Sequence, residues 1–176
     1  MEQTRVKSRF QSFLAEIHGT AVCTVALILG DVVFCGSYLG SLFVCPIWFL
    51  AAVVSALVYK PSLGVGAARV LMPPAVLLLA VVNSSLQNSI AMDHAEQVIQ
   101  ACNEYHDANG VYPKRLNDLA PRYLSSIPRA KYCLAFGELR YHASEEDEIH
   151  SLVWCELPPF GRRIYNFERG TWGYLD

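Results

Sequence analysis

Between Thr20 and Tyr59 the chain carries a single charged side chain, Asp31. Two apolar runs make up this stretch, Thr20–Leu39 and Ser41–Tyr59, and the Gly/Ser link Gly36–Gly40 between them is too short to be anything but a hairpin turn. A helix that crosses the hydrocarbon core of a bilayer needs about 20 apolar residues, because about 30 Å must be covered at about 1.5 Å per residue. Each run meets that length. The alternative, helices of a soluble core, fits poorly with two consecutive runs that share one charge. Residues 20–60 therefore read as a transmembrane helical hairpin.

A third run, Val70–Ser89, follows with Arg69 at one end and a polar face emerging at Asn83. Composition agrees with a divided chain. The whole sequence is 53% hydrophobic and 17% charged, too apolar to spread evenly through a soluble fold. Residues 1–89 hold five Lys/Arg and three Asp/Glu, whereas residues 90–176 hold nine and thirteen. Basic residues near helix ends set orientation. Arg5, Lys7 and Arg9 precede the first span, Lys60 and Arg69 bracket the link between the second and third, and the hairpin turn has none. These positions place residues 1–19 and the 61–69 link in the cytoplasm, residues 70–89 as the third span, and residues 90–176 across the membrane, in the periplasm of a Gram-negative bacterium. No small-residue cleavage site follows the first span, so a removable signal peptide is not expected.

Two features inside the spans could carry chemistry. Asp31 is an intramembrane carboxylate, costly to bury unless paired or protonated. No Lys, Arg or His lies within the other spans to pair with it, which leaves helix packing, proton handling or a hairpin-facing position. Pro73 and Pro74 form either the first turn of the third helix or a kink inside it.

Past the third span the helix continues. Ala91, Ala95, Val98, Ile99, Cys102 and Tyr105 recur at spacings of three and four, with Asp93, Glu96, Gln97, Gln100, Glu104 and Asp107 mainly on other faces. Asn109-Gly110 supplies a left-handed stop. Further on, Glu138–Ser144, His150–Glu156 and Arg162–Glu168 have the length and the β-branched and aromatic content of strands, with Arg169–Trp172 closing the last. An antiparallel meander follows, with a short extra strand from Lys131–Phe136 as an option. Such a sheet cannot hide its apolar face alone, so it packs on the helix stripe. The fold class is α+β: three transmembrane helices, the third continuing into a long amphipathic helix packed on a small antiparallel sheet.

Between helix and sheet the chain is punctuated by Tyr105, Gly110, Tyr112-Pro113, Leu116, Leu119, Pro121, Tyr123-Leu124 and Ile127-Pro128. Gly110 ends the helix, Tyr112-Pro113 redirects the chain, and Leu116, Leu119 and Leu124 return apolar contacts to the helix. The prolines limit what the loop loses in entropy on ordering. This helix followed by G-x-Y-P-x-x-L-x-x-L resembles the globular half of the type II secretion major pseudopilins and related type IV pilin-like proteins, over roughly residues 70–176. The pilin leader pattern is not matched. Ala67–Leu77 offers neither a processing glycine before Phe nor the following Glu, and Arg9–Ile17 contains Phe10, Phe13 and Glu16 without a leader glycine.

The resemblance implies a pilin-like fold, protein partners in a secretion- or pilus-type envelope assembly, and a calcium ion in the C-terminal loop. Ser144 with Glu145, Glu146, Asp147 and Glu148 offers hard oxygen ligands for such an ion, although the alternating spacing of a recognised calcium loop is missing. His142 and His150 flank this turn and could meet across a hairpin, two imidazoles short of a zinc site.

Cys23, Cys35 and Cys45 lie in the spans as small hydrophobes. Of Cys102, Cys133 and Cys155, an oxidising compartment would bridge one pair, with Cys133 and Cys155 preferred as members of adjacent extended segments. The chain lacks C-x-x-C, G-x-S-x-G, a phosphate-cradling glycine loop and H-E-x-x-H, and has no basic stripe for nucleic acid. The expectation is an inner-membrane interaction protein without enzymatic activity, with its lipid bilayer and envelope proteins as partners. A periplasmic sensor, a metal-binding module and a membrane transport accessory remain as alternatives.

Overall fold

A computed structural model describes residues 18–144 and 149–175. The chain divides into two units: one formed by residues up to Val32 with Ser37–Val82, the other by Val33–Gly36 with Asn83–Asp176.

The hairpin is formed by α1 (His18–Cys35), whose last residues from Val33 belong to the second unit, and α2 (Leu39–Tyr59); α3 (Leu63–Asn109) begins after a short break and passes into the second unit at Asn83. All three are long and apolar enough to cross a membrane. Their packing is the reverse of that in a water-soluble bundle. The buried positions of the first unit are small or slim, Ser41, Cys45 and Ala52 on α2 and Val65, Val76 and Ala80 on α3. The large apolar side chains point outward: Phe43, Ile47 and Leu57 are 70%, 71% and 72% exposed. Small residues let helix backbones approach closely where lipid, not water, covers the outer surface. A belt of this kind in water would be an aggregation surface.

The second half of α1, Ile28–Cys35, is wound as a π-helix. Asp31 lies within it, and its carboxylate accepts hydrogen bonds from the backbone N–H of Gly40 at 3.2 Å and from that of Ser41. These are amides of the first turn of α2, which have no partner within their own helix. Asp31 is therefore the hairpin-facing cap of α2, its carboxyl oxygens set against the open amides of that helix end. Gly40 leaves the room, since a Cβ there would come within 2.7 Å of Asp31 Oδ1.

The third helix starts earlier than its apolar run suggests. Leu63–Arg69, read from sequence as part of the link, form its first two turns, and only Lys60–Ser62 separate it from α2. Pro73 and Pro74 consequently lie inside the helix and not in its first turn.

In the second unit, the rest of α3 carries the striped face. Ala91, Ala95, Val98, Ile99 and Cys102 are buried, with Tyr105 packed alongside. Against them lies a four-stranded antiparallel sheet in the order β1 (Arg140–Ser144), β2 (Ile149–Cys155), β3 (Arg162–Asn166), β4 (Thr171–Leu175). The register pairs Tyr141 with Leu152, Leu152 with Tyr165 and Tyr165 with Trp172, so these side chains share one face. Leu152, Trp154 and Phe167 complete the core with Leu119 and Ala130.

Two sequence expectations change here. Arg169–Trp172 does not end the sheet. Arg169 N–H donates to Asn166 Oδ1 at 2.7 Å, Gly170 takes φ +62°, and the chain turns back as β4. Residues 131–136 form a loop and no strand, because their amides are taken elsewhere: that of Lys131 by the Gly137 carbonyl, and those of Leu134 and Ala135 by the Val33 and Phe34 carbonyls.

Replacing Leu152 by Ala opens a cavity between helix and sheet and is expected to cost about 2–5 kcal/mol. The exposed Val111→Ala should cost far less, with both read by denaturation in detergent. Asp31→Ala should weaken the hairpin by about 0.5–2 kcal/mol, the loss of one helix cap, while Asp31→Asn keeps an acceptor and loses less. Limited proteolysis of the purified protein would rank the two.

Candidate functional site

The stop at the end of α3 opens a groove in the second unit. Gly110 takes φ +76° and its N–H closes on the His106 carbonyl at 2.7 Å, so the chain reverses where only a residue without Cβ turns freely. Asn109 reinforces the stop, its side-chain amide donating to the Tyr105 carbonyl at 2.7 Å. Pro113 is fully buried just beyond. The return leg is a 3-10 turn, Leu116–Leu119, whose first amide is held by Asp118: Arg115 N–H donates to Asp118 Oδ2 at 2.9 Å.

Of the motif residues, Leu119 is wholly buried in the core, and Leu116, Tyr123, Leu124 and Ile127 pack around it. Tyr123 lies 5.6 Å from Tyr105, ring to ring. Pro121 follows a cis peptide bond at the surface, and Pro128 is half-buried. The motif is thus a staple for the core. Its other part, Tyr105, Gly110 and Tyr112, lines a groove of about 880 Å³ together with His106, His150 and Glu168.

An aromatic stack forms the floor. Tyr112 stacks on His106 with ring centroids 4.3 Å apart, and lies 5.1 Å from His150 and 5.2 Å from Phe167. His150 is fixed twice by one carboxylate: its Nδ1 and its backbone N–H both lie 2.8 Å from Glu168 Oε1. Burial opposes the charge on Glu168, yet the hydrogen bonds from the His150 ring and from backbone amides outweigh it and hold the carboxyl below its ordinary range. Burial, and next the Glu168 charge, push the Tyr112 phenol upward, so it stays a donor. Lys114, Arg115 and Asp118 form the rim. Faces of rings with hydrogen-bonding groups of both signs suit recognition of a polar and aromatic segment. Ser144 also reaches the groove, but the register sets its side chain on the sheet face opposite to that of His150.

Other sequence candidates are not gathered here. His142 pairs across from Ser151 and Ala143 from His150, so the two imidazoles point to opposite faces and do not meet. Glu145, Glu146, Asp147 and Glu148 lie outside the described residues, and among the described residues no cluster of three His, Cys, Asp or Glu side chains could hold a metal ion. Cys133 and Cys155 are unbridged, as is Cys102. The physical reason is the missing strand: Cys133 lies in a loop and packs at Gly36, whereas Cys155 Sγ turns to the Phe160 and Gly161 carbonyls at 3.8 and 3.9 Å. Asp31, as the cap of α2, belongs to the first unit.

Sequence reasoning did not find the His150–Glu168 pair. The residues are 18 apart, and only the return of the chain after β3 brings them together. Lys131 was equally silent. It is fully buried, its ammonium donating to the Glu156 carbonyl at 2.7 Å with the Trp154 ring 5.4 Å away. Burial brings its pKa down to about 8, against the smaller opposing influence of Cys155, Cys133 and Glu156.

The depressed carboxyl of Glu168 makes a pH prediction. A group with a lowered folded-state pKa contributes stability above its ordinary value of 4.5, and that contribution is lost as pH falls through the folded value. Glu168→Gln should therefore flatten the acid side of the stability curve below pH 4.5 and lower stability at neutral pH, measured by thermal unfolding across a pH series. In comparison with known proteins, the chain matches no family model, no curated protein and no solved structure.

Proposed function

We propose that this protein is a membrane-anchored, pilin-like interaction component of a secretion- or pilus-type envelope assembly, acting by binding and not by catalysis. One observation carries the reading. A single helix, α3, bears outward apolar side chains through Leu86 and then the buried stripe beneath the aromatic sheet, so anchor and domain spine are one element. The motif at its end, Gly110 with Tyr112-Pro113, both staples the core and shapes the groove, which supports recognition of a partner at that end. In this reading the N-terminus and the turn at Lys60 are cytoplasmic and residues 90–176 are periplasmic, in keeping with the positions of Arg5, Lys7, Arg9, Lys60 and Arg69.

Affinity capture of the full chain in detergent tests it. Recovery of secretion or pilus subunits is expected, with Tyr112→Ala reducing the yield several-fold while the protein remains in the membrane fraction. Recovery of none would overturn the assembly role. The groove also favours a second reading, a ligand-sensing domain, which instead predicts a ligand-dependent rise in Tm that Tyr112→Ala removes.

A further inference from the structure

The loop Lys131–Gly137 is tightly held and yet displays two apolar side chains. Its neck closes through Lys131 N–H to the Gly137 carbonyl at 3.3 Å, and the Arg129 guanidinium braces it by donating to the Cys133 carbonyl at 3.0 Å. A Cβ at Gly137 would collide with the Lys131 carbonyl oxygen, so glycine is required for this closure. Lys131 is anchored inward to the Glu156 carbonyl, and Cys133 is buried at Gly36. With its neighbours pinned, the loop turns Tyr132 and Leu134 outward, 67% and 69% exposed. Their exposure is imposed by hydrogen bonds on either side and is not the result of a loose segment.

What the loop touches gives its level. Leu134 N–H donates to the Val33 carbonyl at 3.2 Å, and Ala135 N–H to that of Phe34 at 3.0 Å. Val33 and Phe34 are in the last turn of α1 and expose their own apolar side chains. On α3, large exposed apolar side chains run through Leu86 and do not recur before Val111 among the described residues. Leu134 therefore stands with the exposed apolar side chains of Val33 and Phe34 within the second unit. Tyr132 meets His94, with ring centroids 6.2 Å apart. His94 is two turns beyond Leu86, a rise of about 12 Å at about 1.5 Å per residue, so Tyr132 stands on the polar side of Leu86.

We propose that this loop is an interfacial lipid contact: Leu134 enters the outermost acyl region beside Val33, Phe34 and Leu86, and Tyr132 lies among the phospholipid headgroups. Tyrosine suits that position, with an apolar ring and a polar tip that remains hydrated. The rigid neck means that little entropy is lost when the two side chains meet lipid. A lipid surface is favoured as the occupant because the loop is hydrogen-bonded to the last turn of α1, where Val33 and Phe34 are themselves exposed at the end of a helix long and apolar enough to cross a membrane.

The inference rests on the reading of α1, α2 and α3 as bilayer spans, and the experiment separates the two. Benzoylphenylalanine is placed singly at Leu134, Tyr132, Phe43 and Val111 of the full chain, reconstituted in phosphatidylcholine–phosphatidylglycerol nanodiscs, irradiated and analysed by mass spectrometry. All four positions are exposed, so the substitutions leave the packing intact. Lipid adducts at positions 43 and 134, several-fold above those at 111, with a smaller yield at 132, are the expected result. Adducts at 43 but only the 111 level at 134, or protein crosslinks without lipid adducts at 134, would overturn the loop contact while leaving the spans standing. Absence of adducts at 43 as well would overturn the spanning reading and the loop contact with it.

Discussion

Burial of the Ala91–Ala95–Val98–Cys102 stripe beneath Leu152, Trp154 and Phe167 is the contact on which the second unit depends. The sheet has one apolar face and no second layer of its own, and α3 is the element that covers it. Alanine at two of the stripe positions and cysteine at a third keep the helix surface flat, so the large side chains come from the sheet. Leu152 and Trp154 supply volume, and the rings of Tyr141, Tyr165 and Trp172 continue the layer around them. The same economy holds in the first unit, where Ser41, Cys45 and Ala52 sit inside and Phe43 and Ile47 outside. Small residues thus mark the packed side of the helices in both units, while the large apolar side chains come from the sheet in one and face outward in the other.

Polar groups in the two units are fixed by backbone partners more than by one another. Asp31 finds the amides of α2, Lys131 the carbonyl of Glu156, and Arg129 that of Cys133. Such partners are independent of side-chain rotamers and arrive with the chain fold, which is why a carboxylate and an ammonium can be buried without a salt bridge. The His150–Glu168 pair is the contrasting case. It lies at the edge of a groove and holds one imidazole in a single orientation.

Much of the architecture was legible in residue order. The three apolar runs, the stripe from Ala91 to Tyr105, the Gly110 stop and three of the four strands follow from periodicity and turn chemistry, which act over a few residues. The fourth strand was hidden because Arg169–Trp172 read as an ending, whereas Gly170 is the turn and Trp172 sits within β4 opposite Tyr165. Cys133 and Cys155 looked like neighbours only on the assumption that residues 131–136 form a strand. The groove was half visible: Tyr105, Gly110 and Tyr112 stood out as a motif, but His150 and Glu168 carried no local signal.

The sequence by itself determined which helices are apolar throughout, where the stripe begins, and that a small antiparallel sheet must find a cover, because hydrophobic period and length are local properties of the chain. Tertiary structure alone decided that Asp31 caps α2, that Lys131 is buried beside Trp154, and that the Lys131–Gly137 loop lies on the last turn of α1 with Tyr132 and Leu134 outward. Each of these is a hydrogen bond or contact between distant residues. Its formation depends on backbone groups left unpaired when helices and strands end, and no pattern of side chains announces in advance which of those groups will meet.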